Sequence, residues 1–222
     1  MSLISGCSPI SATPSLRFDR RRSALPTIIW VSWAAGIQQH RHHLAGAVLK
    51  MNHASDPLPA MSPAGLHELQ IVVDGVSEAR ALTDPDGNRV TLLPRASATI
   101  KTYGLEMQVN DPIRHTKFLT QALRFVEIAP NVFQHGDARI ILHVTNTPIS
   151  SATDWRGPRF RYITLQVKHA RAAFESALAA GVTLGEPLRE LGGLVRFGFI
   201  RDPDGNLIEI SERTSFTGRA LP

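Results

Sequence analysis

Apolar and polar residues alternate along Tyr103-Gly-Leu-Glu-Met-Gln-Val109, which sends Leu105, Met107 and Val109 to one face and Gly104, Glu106 and Gln108 to the other. A period of two is that of an extended strand with one buried face. Arg161-Tyr-Ile-Thr-Leu-Gln-Val167 repeats the pattern, with Ile163, Leu165 and Val167 inward and Tyr162, Thr164 and Gln166 on the opposite side. A helical pattern follows each strand. In the first, Asp111 is placed to cap a helix with Pro112 at its first position, and Ile113, Phe118, Leu119 and Ala122 form the expected buried stripe. In the second, His169 to Ala180 is Ala-rich, Phe174, Ala177 and Leu178 turn inward, and Gly181 ends the helix. Short strands are predicted next at Phe125 to Ile128, Val132 to His135 and Ala138 to Thr145. Their counterparts are Gly185 to Leu188, Val195 to Arg201 and Leu207 to Arg213. In Ala138 to Thr145, Ile140, Leu142 and Val144 make the apolar face, so Arg139, Ile141 and His143 face the other way. Both units therefore read strand, helix, three strands.

The last two strands of the second unit meet at Asp202-Pro203-Asp204-Gly205-Asn206. Proline presets φ at the first turn position, the aspartates bond nearby N–H groups, and Gly205 is expected at positive φ. Beyond the turn, Glu209 and Ser211 share a face with Leu207, while Ile208 and Ile210 take the other. The same turn stands earlier at Asp84-Pro85-Asp86-Gly87-Asn88, with Thr91 where the later copy has Glu209. This is an internal repeat. Upstream of the earlier turn, strands are predicted at Ala47 to Asn52 and His67 to Val73, joined by a proline-rich connection, and Arg89 to Leu93 follows it. No helix fits between Val73 and Asp84, so the first copy is an abridged one.

The hairpin Phe199-x-Arg-Asp-Pro-Asp-Gly-Asn-x-Ile-Glu-Ile210, ending a strand-helix-three-strand pattern, resembles the last strands of a βαβββ module of the vicinal oxygen chelate superfamily, which holds glyoxalases, bleomycin resistance proteins and extradiol dioxygenases. The resemblance covers 99–213 well and 44–94 in part. It implies an α+β fold of tandem βαβββ modules: an intact pair at 99–148 and 158–213, and a degenerate partial N-terminal copy at 46–94. Residues 1–45 and 214–222 are read as tails. The resemblance implies that the two paired modules form one curved sheet, with the helices outside and the strand face opposite the core lining a cleft.

Composition alters this picture mainly at the N-terminus. With 222 residues and 43% hydrophobic content the chain can bury a core without staples, and its single Cys7 excludes a disulfide framework or a Cys-based zinc site. The formal charge is +5, but residues 1–45 hold five Arg and one Asp, which leaves the rest near neutral. Nucleic-acid binding is not expected of a folded part without a basic stripe. Met1 to Ser23 has no hydrophobic period, and disorder is expected there. Ala24 to Ile37 is too short to span a membrane, although behind Arg20, Arg21 and Arg22 it imitates the apolar core of a signal peptide. A cytoplasmic protein without membrane or nucleic-acid partners is the expectation. Because no strand and helix are legible before Ala47, a misplaced start or shifted frame upstream is a further reading. The cluster at His40, His42 and His43 is read as solvated loop residues or a metal-chelating group.

The resemblance implies that a divalent metal (Fe, Zn, Ni or Mn), where present, is held by His, Gln or Glu on the first and last strands of paired modules. Here the first-strand positions hold Gly104 and Tyr162, and the last strands offer His143 and Glu209. That set is incomplete, so no cofactor is assigned. Glu209 is read as a hydrogen-bond acceptor or general base with Tyr162 as its donor, or else as a solvated strand carboxylate. Glu106, Gln108, Thr164 and Gln166 are read as polar walls. Arg196 is read as an attractor of an anionic ligand or a partner in a surface salt bridge. The implied function is a glyoxalase- or dioxygenase-like protein, a lyase or oxidoreductase relative acting on a small oxygenated organic molecule. The alternative is a metal-independent binder of the bleomycin-resistance kind.

Overall fold

The two aspartate-proline turns form as their residues dictate. Asp202 accepts hydrogen bonds from the backbone N–H groups of Asp204 and Asn206 and from the Asn206 amide, at 2.8–3.0 Å. Asp84 does the same for Asn88. Gly205 and Gly87 lie at φ 86° and 81°, where a side chain would be strained.

In a computed structural model that describes residues 2–7, 31–33, 37–44, 47–96 and 98–221, the strands assemble into two sheets. They are β1 (Ser2–Cys7), β2 (Val31–Trp33), β3 (Ile37–Leu44), β4 (Ala47–Ala54), β5 (Leu66–Val73), β6 (Arg80–Thr83), β7 (Arg89–Pro94) and β8 (Tyr103–Val109). The helix α1 (Pro112–Lys117) runs into a π-turn at Phe118–Ala122, and β9 (Val126–Ala129), β10 (Val132–His135) and β11 (Ala138–Val144) follow. Then come β12 (Arg159–Gln166), α2 (Ala170–Ala179), β13 (Thr183–Leu191), β14 (Val195–Arg201), β15 (Leu207–Arg213) and the short α3 (Thr214–Thr217). One sheet has the order β13-β14-β15-β12-β1-β4-β3-β2; the other is β6-β7-β5-β8-β11-β10-β9.

Three expectations are corrected by this order. Residues 1–45 are not simply a tail: Ser2–Cys7 is hydrogen-bonded between β12 and β4, and β2 and β3 extend that sheet. The expected disorder of Met1 to Ser23 and most of the apolar Ala24 to Ile37 segment otherwise lie outside the described residues. The strands at 47–54 and 66–94 do not form one unit, since β4 lies between β1 and β3 in one sheet whereas β5, β7 and β6 belong to the other. The modules at 99–148 and 158–213 do not share a sheet either. Each continues into N-terminal strands, through β12–β1 in one case and β8–β5 in the other. Pairing across a sheet edge is chosen by which apolar faces fit, and nothing local in either strand encodes it.

One core unites both sheets with α1 and α2. It takes Leu105, Met107, Val109, Ile140 and Leu142 from one sheet, Ile163, Ile200, Ile208 and Ile210 from the other, and Phe118, Leu119, Phe174 and Ala177 from the helical segments. These are the apolar alternates of each strand; burying each large one contributes about 1.5–3 kcal/mol. Ile113 departs from its expected place in the stripe and is 81% exposed, while His115 of the same helix is fully buried. The Asp202 turn explains why. His115 Nδ1 meets the Asp111 carbonyl at 3.0 Å and its Nε2 lies 3.4 Å from Asp202, so α1 is rotated to bring its imidazole onto the hairpin of the other sheet. Asn110 N–H donates to Asp204, and Gly65 N–H donates to Asn206, at 2.9 and 2.8 Å. The turn thus fastens the two sheets together.

Candidate functional site

The alternates of the eight-stranded sheet that point away from the core, polar on most strands and aromatic on β14, gather on one face. From β15 come Glu209, Ser211 and Arg213; from β12, Tyr162 and Thr164; from β4, Lys50 and Asn52; from β3, Gln39 and Arg41; and from β14, Phe197 and Phe199. A cleft of about 240 Å³ opens here, lined by Lys50, Tyr162, Phe197, Phe199, Glu209 and Arg213 with Trp155 and β13 at its rim. The aromatic wall is ordered edge to face: Tyr162 meets Phe199 at 5.1 Å between centroids and Phe197 meets Phe199 at 6.4 Å.

Glu209 is only 3% exposed. Lys50 Nζ donates to its Oε2 at 3.0 Å and to Thr164 Oγ1 at 2.8 Å, and the Thr164 hydroxyl donates to the same carboxylate oxygen at 2.7 Å. Lys50 stands on β4, two strands from β12, a lateral separation of about 10 Å. Only a long side chain reaches across β1 to close that network. Burial pushes the Glu209 carboxyl up, but the Lys50 and Arg213 charges and the bonds from Thr164 and Lys50 hold it below its ordinary value. Burial brings Lys50 down to about 8 despite the attraction of Glu209, and Arg213 and Arg41 lower it further. Arg41 faces Lys50 directly across the β3–β4 ladder. Burial likewise brings Arg41 to about 10. Arg41 Nη2, Gln166 Oε1 and Ser211 Oγ are buried without hydrogen-bond partners among the described residues.

The expected site residues divide between the sheets. Glu209, Tyr162 and Thr164 lie on one face of the eight-stranded sheet, and the donors to Glu209 are Lys50 and Thr164, not Tyr162. The Tyr162 hydroxyl is bonded to Asn52, and burial first, then the Glu209 charge, keeps its pKa well above that of a free phenol. Arg196 is not in the cleft. It alternates with Phe197 and Phe199, so it points to the helix side, where its Nε donates to Glu190 at 2.7 Å and its Nη1 lies 3.7 Å from Glu212. Glu106, Gln108 and His143 stand on the seven-stranded sheet. There His143 Nε2 is 3.3 Å from Glu106 Oε2, and Gln70 donates to Glu106 at 2.6 Å. His143 and Glu209 therefore do not share a site.

A divalent ion does not fit the Glu209 site. The position such an ion would take against the carboxylate is held by an ammonium group, which has no lone pair and repels a dication. Among the described residues no three His, Cys, Asp or Glu side chains gather for a metal. His40 and His42 lie on β3, alternating with Gln39 and Arg41 and so facing away from Glu209.

Sequence reasoning missed Lys50, Arg41 and Arg213. The available signal was Lys50 itself, a lone charge in the run Ala47-Val-Leu-Lys-Met51. A lysine in an otherwise apolar strand needs a buried counter-charge or an exit to solvent.

The family model of the Glyoxalase/Bleomycin resistance protein/Dioxygenase superfamily matches residues 102–210. A glyoxalase I mutant (V278E) from Zea mays has a similar structure, with a TM-score of 0.71 at 14% identity, covering 98% of this chain and 93% of that one. Another structure of Zea mays glyoxalase I gives 0.61 at 15% identity, over 83% and 82% of the two chains. No curated protein matches by sequence. The βαβββ order on both sheets and the fold shared with glyoxalase I agree with the sequence match: over residues 102–210 the chain carries the pattern of the glyoxalase/bleomycin resistance/dioxygenase (vicinal oxygen chelate) superfamily.

Proposed function

We propose that the chain binds and transforms a small oxygenated organic molecule in the cleft of the eight-stranded sheet, with Glu209 as general base or acceptor and the Lys50 ammonium in place of a divalent ion. The observation that carries this reading is the closed Lys50–Thr164–Glu209 network on the floor of an aromatic-walled cleft. A fixed cation beside the substrate stabilises an enolate or alkoxide as it develops, and an ionised carboxylate beside it accepts the proton released. Arg41 and Arg213 leave that floor net positive, which suits an electron-rich oxygen ligand. The cytoplasm remains the proposed compartment.

The experiment is a screen of small aldehydes, ketones and hydroxy acids by calorimetry and turnover, run with the parent chain and Glu209→Gln, in chelator and with added Fe, Zn, Ni or Mn. Binding and turnover that survive chelation and fall at least tenfold in Glu209→Gln support the reading. Tightly held stoichiometric metal, or an unaffected variant, refutes it. The walls of Tyr162, Phe197 and Phe199 favour a second reading, sequestration without chemistry, which binding without turnover would identify.

A further inference from the structure

We propose that Lys50 is a covalent anchor: its Nζ condenses with the aldehyde or ketone carbonyl of a ligand in the cleft to form an imine. The proposal rests on the reading of that cleft as a small-molecule site and adds a chemistry to it. A lysine becomes nucleophilic when it is desolvated, stands next to other cations and has a base at hand. All three conditions meet at Lys50. It is 1% exposed as a residue, yet it lines the cleft. Arg41 stands opposite it in the strand ladder, and Arg213 lies on the Glu209 strand two alternations on. Glu209 Oε2, at 3.0 Å, receives a proton directly or through the Thr164 hydroxyl.

The steps balance without an outside reagent. Lys50 passes one proton to Glu209, which leaves a neutral amine and a carboxylic acid. The amine nitrogen attacks the carbonyl carbon, the C=O π pair moves to oxygen, and one N–H proton transfers to that oxygen to give the carbinolamine. Glu209 then returns its proton to the hydroxyl, the C–O bond breaks with release of water, and the nitrogen lone pair forms the iminium. The new cation pairs with the regenerated carboxylate in the place the ammonium held. Once formed, the iminium withdraws electrons from the α-carbon, so the same carboxylate is placed to remove an α-proton.

The chain has only four lysines, at 50, 101, 117 and 168, which makes the site easy to read. The full chain is incubated near pH 8 with glyoxylate, propanal or benzaldehyde and sodium cyanoborohydride, which reduces an iminium to a stable secondary amine. Peptide mass mapping then gives the labelling rate at each lysine. At least tenfold faster labelling of Lys50 than of exposed Lys101 is expected with one or more probes. Glu209→Gln should slow it about tenfold, and Lys50→Arg, which keeps a cation on the floor, should abolish the fast adduct while retaining the parent circular dichroism spectrum. Equal labelling of Lys50 and Lys101 overturns the proposal. If calorimetry without reductant still shows the probes bound in the cleft, the covalent step alone falls. If they neither bind nor label, the small-molecule reading falls with it.

Discussion

Replacing Lys50 with Met keeps most of the apolar stem and removes the charge that Glu209 faces. The carboxylate is then left 3% exposed with one hydrogen bond from Thr164 and the more distant attraction of Arg213. Breaking a buried pair by removing one partner costs about 3–5 kcal/mol. Because Thr164 and Arg213 remain, we expect the lower end, about 3 kcal/mol, which in a chain of this size lowers Tm by about 6–12 °C. Urea unfolding at pH 7, read by tryptophan fluorescence and circular dichroism, measures it. The double variant Lys50→Met with Glu209→Gln removes both charges and should recover about 2 kcal/mol of the loss, since the penalty lies in the orphaned charge. The pH dependence has a definite sign. In the parent, Glu209 is held below 4.5, so its contribution is present above that value and is lost as pH falls through the folded pKa. In Lys50→Met the carboxyl rises, and acid that protonates it relieves the buried charge, so the deficit against the parent should narrow below neutral pH. A loss under 1 kcal/mol in the single variant, or a double variant as unstable as the sum of the singles, would refute the argument.

Gly205→Val should destabilise by about 1–3 kcal/mol or more, because φ is 86° and a Cβ would stand 2.7 Å from Ser151 Cβ. Gly87→Val should cost less, as its Cβ would meet the end of the flexible Arg159 side chain at 3.0 Å; thermal melts of both variants give the comparison, and equal losses would contradict it. At His115, burial lowers the imidazole pKa, but Asp202, the Asp111 carbonyl and Asp204 together raise it above 6.5. The stabilisation is therefore full below pH 6.5 and lost as pH rises through the folded value, so the Tm gap between parent and His115→Gln should shrink from pH 5.5 to 8.5. Arg196→Met should lower Tm by breaking contacts with Glu190 and Glu212 while leaving ligand affinity within about twofold, measured by calorimetry; a tenfold loss would return Arg196 to the cleft.

What could be read from residue order was local. Alternation in β8, β12 and β15 gave the right faces, and Asp84 and Asp202 gave the right turns, because strand period and turn chemistry act within a few residues. Glu209, Tyr162 and Thr164 came together for that reason. Lys50 did not, since its partners lie on strands chosen by long-range pairing. His143 and Glu209 share a site only where neighbouring modules share a sheet, and the β12–β1 and β8–β5 pairings send them apart. Arg196 failed more simply: on β14 the phenylalanines claim the cleft face, and period two excludes their neighbour.

The bond between Lys50 and Glu209 joins residues 159 positions apart. Such a closure has a consequence for biogenesis. While the ribosome still holds the final hairpin, β4 has no carboxylate to receive its ammonium, and the edge of β1 that β12 will cover is open to other strands. Contacts of this sequence separation slow folding and leave unpaired edges exposed meanwhile. The floor of the cleft is thus complete only once β15 has been made, and a chain released a few residues before Glu209 would carry β4 and β12 without the carboxylate that Lys50 and Thr164 bind.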